Sequence, residues 1–156
     1  MLEVTIPGFA SLRLKHLVLD YNGTLGVDGK LLPGVRRRLR KLHGRVDIHV
    51  VTADTFGAAR AGLAGVPCRL SILPASGQDR AKLAYVKRLG TEETVCVGNG
   101  RNDRLMLKAA ALGIAVIQHE GAAADAIGAA DVVTSGIAEA LELLEKPLRL
   151  IASLRA

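Results

Sequence analysis

Tryptophan is missing from this chain, and aromatic residues of all kinds make up only 3% of it. Single-stranded nucleic-acid binders stack bases on aromatic side chains, so the composition argues against that class. Cysteine is nearly as scarce. Cys68 and Cys96 both lie inside apolar runs, Val66 to Leu73 and Thr94 to Gly98. That placement suits buried free thiols and a reducing cytoplasm better than a disulfide. There is no C-x-x-C pair to hold a metal. No apolar stretch approaches the ~18 residues that a membrane span needs, because Lys108, Glu120, Asp125 and Asp131 interrupt the richest region. The N-terminus lacks a basic segment followed by an apolar core, so no secretory signal is expected. Repeats, low-complexity tracts and linkers are wanting too, and residues 1–156 read as one soluble, cytoplasmic domain.

What is present is an ordinary globular mixture, 49% hydrophobic and 23% charged, with a net charge of +6. Such a charge favours polyanions or phosphorylated ligands, or simply marks a basic protein. The basic residues concentrate on a helix predicted from Pro33-Gly34 to about His43. Its apolar stripe is Val35, Leu39 and Leu42, and its other faces carry Arg36, Arg37, Arg38, Arg40 and Lys41. Without aromatic interleaving this reads as a solvated face rather than a nucleic-acid surface.

Around that helix, apolar runs alternate with helical patterns. Leu2 to Ile6 is expected to pair antiparallel with Leu12 to Leu19, and Gly26 to Leu32 to form a small hairpin around Asp28-Gly29. Strands follow at Val46 to Val51, Cys68 to Leu73, Thr94 to Val97, Ile114 to Ile117 and Asp131 to Val133. Helices are expected at Thr55 to Ala64, Ser76 to Leu89, Asp103 to Leu112, Ala122 to Ile127 and Ile137 to Leu144, with a further one over Pro147 to Arg155. Strands alternating with helices at this spacing imply right-handed crossovers and a parallel sheet covered on both faces, a three-layer α/β, Rossmann-like fold.

One junction stands out. Leu17-Val18-Leu19 ends in Asp20, and Asn22-Gly23-Thr24 turns the chain straight after it. An acid ending an apolar strand has little structural reason to be there, and in an open α/β sheet that edge is where ligands bind. Thr52, Lys82 and the Asn99/Asp103 loop fall at corresponding strand ends or early in the following helices, so parallel strands can bring them together. A carboxylate can attack phosphorus, a hydroxyl and a lysine can hold phosphoryl oxygens, and hard oxygens can hold Mg²⁺. Taken singly, Thr52 could be a helix cap, Lys82 a surface charge and Asp103 a first-turn acid. His49, inside a strand, reads as a core residue; His119, after the fifth strand, could approach the site from its rim.

The order Asp20-Tyr21-Asn22-Gly23-Thr24-Leu25, Thr52, Lys82 and Gly98-Asn99-Gly100-Arg101-Asn102-Asp103 resembles the haloacid dehalogenase-like (HAD) hydrolase superfamily. It looks most like the phosphorylation domain of P-type ATPases and their soluble relatives, over about Leu17 to Leu144. The resemblance implies an Mg²⁺-dependent phosphatase in which Asp20 becomes an aspartyl phosphate. Thr52 and Lys82 would bind the phosphoryl group, and Asn22, Gly23, Ala53 and Asn102 would complete the substrate contacts. Asp20, the Asn22 backbone carbonyl, Asn99 and Asp103 would hold the metal.

Two positions depart from that pattern. The superfamily's phosphatases usually carry an Asp, the general acid–base, where this chain has Asn22, and a metal-binding Asp where it has Asn99. General acid–base help is worth about 10²–10⁴-fold, so Asn22 implies slow turnover or a catalytically weak, phosphate-binding regulatory module. Spacings of fewer than about thirty residues between motifs leave no room for a cap domain. The expected substrate is therefore an accessible one, a phosphorylated small molecule or an exposed phosphoryl group on a macromolecule, unless a second copy of the chain closes the site.

Overall fold

The computed structural model describes residues 1–54 and 57–156. β1 (Leu2–Ile6) and β2 (Ala10–Leu14) form an antiparallel ribbon, and β3 (His16–Leu19) follows after Lys15. A small hairpin, β4 (Gly26–Val27) and β5 (Lys30–Leu31), leads to α1 (Val35–Leu42), β6 (Asp47–Thr52), α2 (Ala58–Gly62), β7 (Arg69–Ile72) and α3 (Gln78–Leu89). Then come β8 (Thr94–Gly98), a 3₁₀ turn at Arg101–Asp103, α4 (Arg104–Ala109), β9 (Leu112–Val116), α5 (Ala124–Ala129), β10 (Val132–Thr134), α6 (Ile137–Glu145) and α7 (Pro147–Leu154).

Six strands make one sheet in the order β10-β9-β8-β3-β6-β7, parallel throughout. The chain builds outward from β3 first to one side and then, at β8, to the other. Such a reversal opens a crevice at the carboxyl ends of the two strands, here β3 and β8. Alternation along the strands sorts their side chains between two cores. Leu17, Leu19, Val95 and Val97 pack with α1, α6 and the β1–β2 ribbon, while Val18, Val51 and Cys96 meet Val86 of α3 and Met106 of α4. Helices thus cover both faces, in three layers.

The expected strand Leu12 to Leu19 is split. Lys15 leaves the ribbon, its N–H donating to the Glu93 carbonyl and its own carbonyl accepting from the Asp47 N–H, so β2 and β3 belong to different sheets. Leu112 lies at the start of β9 rather than at the end of a helix, because Ala110 is already extended and stops α4. The expected helix Thr55 to Ala64 is observed over Ala58–Gly62, Thr55 and Phe56 lying outside the described residues. The basic residues of α1 are largely spoken for. Arg38 meets Glu142 at 2.9 Å and Glu145 at 3.1 Å, Lys41 meets Glu145 at 2.8 Å, and Arg36 and Arg40 donate to the carbonyls of Gly62 and Gly65.

Candidate active site

Leu19 faces α1, so the pleat turns the next residue, Asp20, toward α3. There Lys82, one turn into the helix and without exposed surface, places its Nζ 2.7 Å from Asp20 Oδ1 and 2.7 Å from Asp103 Oδ1. The other oxygen of Asp103 accepts the backbone N–H groups of Asn99 (3.1 Å) and Gly100 (2.9 Å). Gly98 makes this approach possible, since a Cβ there would lie 2.5 Å from the Asp103 Cγ. Both oxygens of Asp103 are therefore engaged, beneath Lys82 and away from the cleft.

Gly23 takes the left-handed conformation (φ +79°) that the tight turn after Asp20 requires. The Thr24 hydroxyl then lies 3.3 Å from both Asp20 Oδ2 and Asn99 Oδ1, able to donate its one proton to either. Tyr21 is buried, and its hydroxyl donates to the Gly29 carbonyl at 3.0 Å. The residue beside Asp20 thereby anchors the β4–β5 hairpin, whose Asp28-Gly29 turn has positive φ at both residues.

Two carboxylates face one ammonium out of water. Burial, together with the neighbouring Asp103, pushes the Asp20 carboxyl up to about 7 against the pull of Lys82. Burial alone would lower the Lys82 pKa, but the two carboxylates outweigh it and raise it, so the ammonium stays charged. The cluster carries one negative charge in excess. Asp20 and Asn99 both line the cleft, the Asn99 amide oxygen lying 3.3 Å from the Thr24 hydroxyl. Few protein oxygens, all hard, with negative charge to offset and room for water, form a donor set that suits Mg²⁺.

A cleft of about 780 Å³ opens above Asp20, lined among others by Asn22, Thr52, Ala53, Asn99 and Asn102. Of the residues expected at the site, these and Asp20 reach the cleft, Lys82 and Asp103 lie buried beneath Asp20, and Gly23 shapes the turn. Thr52 is buried, and its hydroxyl accepts the Asp54 N–H at 3.3 Å. His49 is buried in the core, and His119 is exposed and does not line the cleft.

The structure adds residues that motif spacing does not single out. Gln78 lines the cleft and accepts the Asn102 amide at 3.0 Å. Gln118 donates to the carbonyls of Gly23 (2.9 Å) and Thr24 (2.6 Å) and accepts the Ile137 N–H (3.0 Å), clamping the turn after Asp20 to α6. Glu120 lines the cleft beside that clamp. Their one sequence signal is position: 118–120 follows β9, whose end lies on the same sheet edge as Asp20.

No protein-family model matches the chain. It is 43% identical over 79 residues to the uncharacterized protein MJ0073 of Methanocaldococcus jannaschii, an alignment covering 48% of this chain and 85% of the relative. The Moraxella catarrhalis 3-deoxy-D-manno-octulosonate 8-phosphate phosphatase, solved with magnesium ion, phosphate ion and KDO, superposes with a TM-score of 0.71 at 15% identity, covering 91% of this chain and 94% of that one. A Legionella pneumophila protein described as a HAD superfamily (subfamily III A) hydrolase gives 0.71 at 16%, covering 90% and 87%. A zinc-transporting P-type ATPase gives 0.59 at 24%, covering 78% of this chain and 20% of the transporter. The chain thus belongs to one family with the Methanocaldococcus jannaschii protein MJ0073, and its fold is that of the haloacid dehalogenase-like superfamily.

Proposed function

We propose that the chain is an Mg²⁺-dependent phosphatase that works through a phosphoryl group carried on Asp20. The observation that carries this reading is the buried Asp20–Lys82–Asp103 cluster beneath an open cleft. A carboxylate with that partner and that outlook has no evident structural purpose, and it sits at the sheet's reversal point. The fold shared with phosphatases, one of them solved with magnesium and phosphate, supports it.

In the first half-reaction an Asp20 oxygen attacks phosphorus as the leaving oxygen departs. Lys82 holds Asp20 in place and offsets its charge, while Thr52, Ala53 and Asn102 line the wall where the phosphoryl oxygens would lie. Mg²⁺, bound by Asp20, the Asn22 carbonyl and Asn99 with Asp103 supporting from behind, would neutralise charge on the phosphoryl group. The described lining includes Asp28 and Asp54 besides Asp20 and Glu120, and neither Lys nor Arg. A neutral or cationic leaving group therefore suits the cleft better than one bearing further anionic groups. Phosphatase assays with and without Mg²⁺ on the wild type and Asp20→Asn test the reading. Activity dependent on both is expected, and equal activity in the two proteins would sink it.

The amides at Asn22 and Asn99 favour a second reading, a regulatory module that binds phosphate and turns over poorly. Mg²⁺-dependent beryllofluoride binding without measurable turnover would select it. Closure of the open cleft by a second copy of the chain belongs with either reading, and sedimentation with and without beryllofluoride tests it.

A further inference from the structure

With Asn22 unable to exchange protons, the reaction on Asp20 lacks a group to protonate the leaving oxygen and later to deprotonate water. We infer that Glu120 supplies that general acid–base function from the loop after β9; the inference rests on the Asp20 reading. Among the described residues four carboxylates line the cleft: Asp20, Asp28, Asp54 and Glu120. Asp20 is the nucleophile. Asp54 is occupied at the start of α2, accepting the Ala59 N–H at 2.8 Å. Asp28 sits at the tip of the β4–β5 hairpin, on the side of the cleft where Tyr21 anchors Gly29.

Glu120 lies against the turn that carries Asp20. A Cβ built on Gly23 would fall 2.2 Å from Glu120 Oε2 and 2.4 Å from Asn99 Nδ2, so both side chains converge on one point of that turn. The same Asn99 amide reaches the Thr24 hydroxyl, which in turn reaches Asp20. Gly23 is thus required for space as well as for its φ: any side chain there would displace Glu120.

The loop is held at both ends. Gln118 clamps the Gly23 and Thr24 carbonyls, the Gly121 carbonyl accepts the Asn99 amide at 3.2 Å, and the Ala123 N–H donates to the Asn99 carbonyl at 2.9 Å. Glu120 itself forms no side-chain hydrogen bond or ion pair among the described residues, so its carboxyl is exposed and unengaged on a fixed backbone.

The step balances. An Asp20 oxygen bonds phosphorus as the ester P–O bond breaks, and the departing oxygen takes the proton of the Glu120 carboxyl. In the second half-reaction Glu120, now a carboxylate, takes a proton from water. The water oxygen bonds phosphorus, the bond from Asp20 to phosphorus breaks, and phosphate leaves with the Asp20 carboxylate and the Glu120 carboxyl restored.

The test uses p-nitrophenyl phosphate, whose leaving group needs no proton, with Glu120→Gln, Glu120→Ala and Asp20→Asn. For Glu120→Gln the expected result is one enzyme equivalent of nitrophenolate released in a burst. Turnover should then fall on the order of 10²–10⁴-fold below wild type, with phosphoryl accumulating on Asp20. Formate should restore part of the lost rate in Glu120→Ala. Mg²⁺ affinity by calorimetry should match wild type; a tenfold loss would make Glu120 a metal ligand and overturn the inference. Wild-type turnover in Glu120→Gln, with no phosphoryl accumulating, overturns it as well and leaves Asp20 untouched. Wild-type turnover in Asp20→Asn would instead remove the reading on which it rests.

Discussion

Lys82 has no exposed surface, yet its charge is needed where it lies, between Asp20 and Asp103 at 2.7 Å each. Removing one partner of a buried ion cluster costs more than the cluster contributes, because the remaining charges stay desolvated. Lys82→Met leaves two facing carboxylates and should lower the stability to urea unfolding by roughly 3–5 kcal/mol. Asp20→Asn should behave oppositely. It removes the carboxylate that burial and the neighbouring Asp103 push up to about 7, and Lys82 keeps Asp103. Its midpoint should equal or exceed the wild type's while activity is lost, the exchange of stability for function that catalytic groups often show. A Lys82→Met protein as stable as wild type would mean that the cluster is solvated rather than buried.

At the scale of elements, the site is one turn held by its neighbours. The β4–β5 hairpin hangs from the Tyr21 hydroxyl, and Tyr21→Phe removes one hydrogen bond worth about 0.5–1.5 kcal/mol. Faster amide exchange confined to residues 26–31 is the expected outcome, read by hydrogen exchange with mass spectrometry. Exchange spreading into β3 would show that Tyr21 supports the core instead. The same scale explains what was legible in the sequence. Asp20, Thr52 and Asn99 each sit beside a strand end whose apolar run announces it, Asp103 and Lys82 follow in the turn or helix after one, and parallel pairing gathers them on one edge. Gln118 and Glu120 follow a strand end too, but their role depends on which turn they face across the crevice, and no local pattern encodes that. The break at Lys15 was equally hidden, since it is made by backbone bonds to Glu93 and Asp47, remote in sequence. That Asp103 is doubly occupied under Lys82 follows from the close approach at Gly98, which spacing alone does not fix.

Across the whole molecule, α3 joins the site to the opposite end of the sheet. It carries Lys82 at one level and Tyr85 one turn on, where the Tyr85 hydroxyl meets His49 Nδ1 at 2.8 Å, and His49 Nε2 lies 3.3 Å from His16 Nδ1. Burial, with His16 and Arg69 adding to it and Asp47 opposing, lowers the His49 pKa to about 4. Below its ordinary value of 6.5, His49 takes up a proton in the unfolded chain but not in the folded one until near pH 4. Stability conferred by the neutral ring is thus whole above pH 6.5 and is lost as the pH falls toward 4, by roughly 3 kcal/mol. Urea unfolding across that range should show the slope in the wild type and a flatter one in His49→Gln; identical slopes would assign the acid sensitivity elsewhere.

The central claim is a covalent one, that phosphoryl passes through Asp20. It is tested most directly by incubating the protein with acetyl phosphate and Mg²⁺, quenching in acid, and locating any phosphoryl adduct by peptide mass spectrometry. The account predicts a hydroxylamine-labile adduct on Asp20, more abundant in Glu120→Gln than in the wild type and absent from Asp20→Asn. Sustained phosphate release with no adduct on Asp20 in either protein, or an adduct on another residue, would contradict it.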